Sequence, residues 1–174
     1  MPTRLNVTIP ARSSLAGDSP EAERTTYYVD STGVVTGEPR VSKRFYNATG
    51  SPLVLGGVYL VAEDGDEETG PALIALAAGT VNRQIAVAAE AIATASWGEA
   101  FTEGWCNALV HGTTDIAKDD YLKIAAATGT NSFVGEGAAT LSTKSFAIAA
   151  EPFTTDATTA LKKVKLLGVF ADPD

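Results

Sequence analysis

Along much of this chain, apolar and polar residues alternate with a period of two, and glycine, proline or asparagine separates the runs. Leu5, Val7 and Ile9 alternate with Asn6 and Thr8, and Val41, Lys43 and Phe45 alternate with Ser42, Arg44 and Tyr46. Successive side chains of a strand point to opposite faces, so each such run predicts a strand. Residues 25–30 and 34–35, separated by Ser31-Thr32-Gly33, predict a hairpin with glycine in its loop. Further strands are expected at 53–55, 58–61, 73–76, 121–125, 146–150 and 164–170.

Turn chemistry is densest between residues 47 and 57. Asn47 to Gly50 supply it because glycine accepts positive φ and asparagine bonds its own backbone. Pro52 then blocks helix propagation, and Gly56-Gly57 marks a second bend before Val58-Tyr59-Leu60-Val61.

One segment pulls the other way. Ile85 to Thr94 contains five alanines and favours a helix on propensity alone. The same order of large residue, alanine, branched residue, two alanines and glutamate recurs from Phe146 to Glu151, followed in that copy by Pro152. Proline opposes helix continuation, so if both copies share one conformation it is a strand followed by a turn. Alanine at alternate positions would let a barrel wall approach its neighbour closely. The pattern therefore predicts an all-β protein: a single small β-barrel or β-sandwich domain over residues 25–174, preceded by an extended arm over residues 1–24. Pro2, Pro10, Pro20 and Gly17 keep that arm from forming a useful helix.

Composition narrows the function. A chain of 174 residues can bury about 70% of its unfolded surface, enough for one core. The net charge is −8, divided as +1 over residues 1–44 and −9 over the remainder. An acidic body repels phosphate, which argues against nucleic acid as a partner. No apolar stretch is long enough for a transmembrane helix, and Arg4, Asn6 and Thr8 interrupt any signal-peptide core, so synthesis in a reducing cytoplasm is expected. On that ground the sequons at Asn47 and Asn6 are read as chance.

Candidate chemistry is sparse. Cys106 and His111 are the only thiol and the only imidazole, and five residues along an extended segment put them on opposite faces. A buried strand cysteine and a loop histidine are the expectation, with no enzymatic activity. Two soft ligands fall short of a zinc site. Glu63 to Glu68 holds five carboxylates but lacks EF-hand spacing, so a solvated loop is expected and neither metal nor cofactor is assigned. Gly135-Glu136-Gly137 lacks the lysine of a phosphate cradle and reads as a bend. Asp115, Asp119 and Asp120 flank a turn and are expected to cap it or keep the surface soluble, while Trp97 and Trp105 could pack on the body or anchor a partner.

Two stretches carry a resemblance. Asn47-Ala48-Thr49-Gly50 followed by Leu53, Gly56, Val58, Tyr59 and Val61 is similar to a segment recurring in small β-barrel domains of tailed-phage structural proteins, head decoration (cement) proteins especially. Trp97-Gly98-Glu99-Ala100 and the run Cys106 to Leu122 resemble the same family, although Lys118-Asp119 stands where it more often has a glycine before the aspartate. The resemblance spans residues 44 to 170 and rests on turn chemistry. It implies a virion protein that binds the major capsid protein on the capsid exterior and stabilises the shell, usually as a trimer at local three-fold axes.

The arm then becomes the expected capsid contact. Leu5, Val7 and Ile9 form its apolar face, with Arg4 and Arg12 beside them, and a short amphipathic strand on a flexible link suits addition to another molecule's sheet edge. The other reading is an arm that pairs with its own barrel or frays. The alternative function is a tail or tail-fibre β-domain recognising host surface carbohydrate, for which Trp97, Trp105 and the loop 63–68 are the candidates.

Overall fold

The structure, a computed structural model, describes residues 3–7, 24–29, 40–62, 70–76, 84–112, 115–124, 131–135, 145–154 and 158–168. Among these there are eleven strands and no helix, as the alternation requires. They are β1 (Thr3–Val7), β2 (Arg24–Val29), β3 (Arg40–Asn47), β4 (Val58–Ala62), β5 (Ala72–Ile74) and β6 (Ile85–Ala88), then β7 (Trp97–His111), β8 (Tyr121–Ile124), β9 (Phe133–Gly135), β10 (Ala147–Ala149) and β11 (Thr159–Leu166). All eleven belong to one sheet, which closes on itself twice.

The first ring runs β3, β5, β4, β6, β7 and back to β3; the second runs β7, β9, β8, β10, β11 and back to β7. The 15-residue β7 belongs to both: residues 97–103 pair with β3 and Gly104–His111 pair with β11. Each ring holds one parallel and four antiparallel pairings in the same order. Even the register agrees. Asn47 faces Leu73 as Val110 faces Phe133, and Tyr59 faces Ala86 as Leu122 faces Ala147. The isolated bridge Leu53–Ile92 recurs as Ile116–Phe153. The expected barrel is thus two small barrels of identical topology fused along one strand.

Ring size explains the alanines. Five strands enclose a narrow space, and Ala86, Ala88 and Ala100 line the first ring while Ala108, Ala147 and Ala149 line the second, all essentially without solvent exposure. The ambiguous segment at Ile85 is a strand, as its second copy suggested. Its unbroken apolar run arises because β6 is buried on both faces. Ala86 and Ala88 face the first core, whereas Ile85 and Val87 join the second. The repeated glutamate has a purpose as well. Glu90 Oε1 accepts the Glu99 N–H at 2.9 Å, and Glu151 Oε1 accepts the Lys163 N–H at 3.1 Å, closing the same turn in each ring.

Several expected elements differ in extent. Of 53–55 only Leu53 forms a bridge, because a turn with Gly56 at φ 76° follows at once. The last strand begins at Thr159 rather than 164, since consecutive Lys162 and Lys163 break the sequence alternation. The segment 34–35 lies outside the described residues.

Candidate interaction surface

Among the described strands, ring closure pairs both sides of the ring strands and leaves β1 at one end of the strand order. β2 pairs with β3 only over Arg24–Thr26, and β1 pairs with β2 along its whole length, Leu5 opposite Tyr27 and Val7 opposite Thr25. Arg4, Leu5 and Val7 therefore sit on a terminal strand of this chain's own sheet, one side of which is taken by β2. Ile9 and Arg12 lie outside the described residues. A terminal strand offers backbone N–H and C=O groups along its other side, the ordinary template for adding a partner's strand.

Along the rings, side chains take roles that follow from the strand faces. Buried Ser42 donates to Glu99 Oε1 at 2.5 Å, fixing β3 against β7. The Arg40 guanidinium lies 4.4 Å from the Phe101 ring centroid. Trp97 meets Tyr46 edge-on at 5.7 Å, and Trp105 lies under the ammonium groups of Lys163 and Lys165 at 5.6 and 6.0 Å. Both tryptophans are half-buried on the outer wall of β7. Asp120 Oδ2 accepts the Ala117 N–H at 2.7 Å, capping its turn as expected, and Asp119 adopts φ 71° where the first ring has Gly56. The acidic loop 63–68 lies outside the described residues.

Cys106 and His111 do not form a nucleophile–base pair. Burial alternates along β7, so Cys106 faces the second core while His111 lies on the outer wall. His111 ends the strand rather than lying in a loop, and its Nδ1 is 2.9 Å from Thr159 Oγ1. Burial pushes the Cys106 thiol up to about 12, against a weaker opposing pull from Arg40, so it stays protonated at neutral pH. The unfolded chain releases this proton from its ordinary value of 9.0 upward while the folded chain retains it. Stability should then fall with rising pH in that window, by up to about 1.4 kcal/mol per unit. Tyr59, also raised by burial, acts in the same direction above 10.0. Urea unfolding on both sides of the thiol window should show this slope, and Cys106→Ala should flatten it. An unchanged slope in Cys106→Ala would place the alkaline loss elsewhere.

Asn47 is the residue whose reach the sequence understated. It is 1% exposed, and its Nδ2 donates to the carbonyls of Ser51, Ala93 and Ile92 at 2.8, 3.1 and 3.2 Å. Its Oδ1 accepts from Thr49 N–H and Oγ1–H at 3.0 and 2.8 Å. The local turn was legible; the clamp onto the distant Ile92–Ala93 segment was not. Full burial of this amide also leaves the sequon at Asn47 inaccessible in the folded chain.

Neither a protein-family model nor a curated protein sequence matches the chain. Among solved structures it is similar to the N base of the head fiber gp8.5 of bacteriophage phi29. Identity is 14% and the TM-score is 0.47, with 76% of this chain and 98% of that one covered.

Proposed function

We propose that this chain is a structural protein of a tailed-phage virion that binds the outer surface of the head and stabilises the shell as a decoration protein. One observation carries the reading: a sheet that closes twice and ends in a terminal strand, β1, whose outer side suits strand addition. The strand–turn phrases at 47–61 and 106–122 support it, as does the separation of the only thiol from the only imidazole.

In this reading the partner is the major capsid protein, a strand of which pairs with β1 through main-chain hydrogen bonds. Trimers at local three-fold axes would bring three such edges to neighbouring shell subunits. A ligand that binds the intact shell and not its separated subunits stabilises the shell by mass action. The acidic body keeps the protein soluble and off the packaged DNA.

The test is to mix purified protein with purified heads and, separately, purified tails, and to sediment each. Saturable sedimentation with heads, together with a higher temperature of DNA release, is expected. Sedimentation with tails would favour the carbohydrate-recognition reading, and sedimentation with neither would remove both.

A further inference from the structure

We infer that the turn from Val54 to Val58 in the first ring is a keystone of the second, which stays closed only while that turn is seated between β7 and the approach to β9. The two rings close their parallel seams differently. In the first, Tyr46 N–H donates to Pro71 O at 3.0 Å and Ala48 N–H to Leu73 O at 3.0 Å, so the approach to β5 and β5 itself complete the seam. Two register pairs join β3 to β5 there, Tyr46 with Ala72 and Asn47 with Leu73.

The second ring has one such pair, Val110 with Phe133. The residue aligned with Tyr46 by register is Leu109, and its N–H turns instead to Gly56 O of the first ring at 2.7 Å. Val58 N–H donates to Asn131 O at 2.8 Å, just before β9. The turn is thus hydrogen-bonded to both sides of the seam.

Packing supports the same role. A Cβ placed on Gly56 would meet Leu161 Cδ2 at 2.3 Å, and Asn107 O and Leu109 N at 3.4 Å. Val58, at the end of the turn, and Leu60 beyond it belong to the second ring's core cluster. Val54, Leu55 and Leu161, the exposed large hydrophobics among the described residues, rim this joint.

The matching turn of the second ring shows what a free end looks like. Lys118, Asp119 and Asp120 stand where the joint has Leu55, Gly56 and Gly57, and residues 117–119 are exposed. The backbone bonds within the two turns agree: Gly57 N–H to Val54 O matches Asp120 N–H to Ala117 O, and Gly56 N–H to Ala88 O matches Asp119 N–H to Ala149 O. One geometry therefore serves as a wedge in the first ring and as a charged tip in the second.

Amide hydrogen exchange on the full chain tests this. In the unsubstituted protein, the Leu109 and Val58 amides should open together with those of β8 and β9. Gly56→Ala forces a side chain into the left-handed region, which should lower protection at Leu109, Val58, β8 and β9 by a common factor of about tenfold or more. The Asn47, Leu53 and Ile92 amides of the first ring should keep theirs. A uniform fall across both rings, or unchanged protection in β8 and β9 while Leu109 and Val58 exchange, overturns the inference. Should Gly56→Ala fail to fold, Leu161→Ala, which removes only the side chain over the turn, is read the same way.

Discussion

Asn47→Ala is expected to destabilise the folded chain by about 2–4 kcal/mol, the largest effect of any single polar substitution proposed for the first ring. The asparagine amide satisfies carbonyls from two separate segments, Ser51 and Ile92–Ala93, and accepts from Thr49 twice. Ile92 O has a second donor, Leu53 N–H, and without Asn47 the single Thr49 Oγ1–H proton is free to serve Ser51 O alone. Truncation would therefore leave chiefly the Ala93 carbonyl and the Thr49 N–H without these bonds, together with a small cavity. Asn47→Asp separates hydrogen bonding from volume, because it keeps the shape while replacing the donor with an acceptor aimed at three carbonyls. Both variants should lower the urea midpoint without changing the slope of unfolding. A loss below about 1 kcal/mol in both would show that the clamp contributes little beyond what water can replace.

The second ring manages without this clamp, since register places Val110 at the matching position, also buried. That contrast shows why the fold was only half legible in the sequence. Strands rich in branched and aromatic residues between turn signals, such as Val58–Ala62 and Tyr121–Ile124, declare themselves by composition. The longest strand, β7, does not. Gly98, Ala100, Thr102, Gly104, Cys106 and Ala108 face inward, while Trp97, Trp105 and Leu109 lie on the outer wall and Phe101 packs against the second core. The ring interior has no room for more: a Cβ on Gly98 would meet Ile92 Cγ1 at 2.4 Å. An alternation of size with the large members outside hides a strand from any reading that places large apolar residues inside. The three-residue β9 is too short to show a period at all.

The duplication was visible only where small size was obligatory, in the alanine runs ending at Glu90 and Glu151. Elsewhere the two copies fill equivalent positions with unlike residues: Asn47 and Val110, Gly56 and Asp119, and the cross-strand pairs Tyr46–Trp97 and Leu109–Leu161. These positions are fixed by backbone register and turn geometry, which constrain φ and volume more than chemical type. Asp119 shows the latitude, holding a positive φ that glycine would adopt at lower cost. Separation of Cys106 from His111 followed directly from strand parity, whereas the reach of Asn47 across to Ile92 needed the fold.

The proposed capsid contact rests on β1, and deleting residues 1–20 isolates it. The deletion removes β1 while leaving β2 and every strand of the two rings in the chain. The rings should stay closed, with a cooperative melt and the near-ultraviolet spectrum of Trp97 and Trp105 retained. If a capsid strand adds to β1, affinity for heads should fall by about a hundredfold or more, corresponding to roughly 2.7 kcal/mol of main-chain pairing. Because the truncation bares a side of β2, Leu5→Asp combined with Val7→Asp provides a full-length counterpart that should weaken binding in the same direction. The deciding measurement is equilibrium binding of the folded truncated chain to purified heads. Loss of binding is expected, and undiminished binding by a folded truncation would contradict docking through β1.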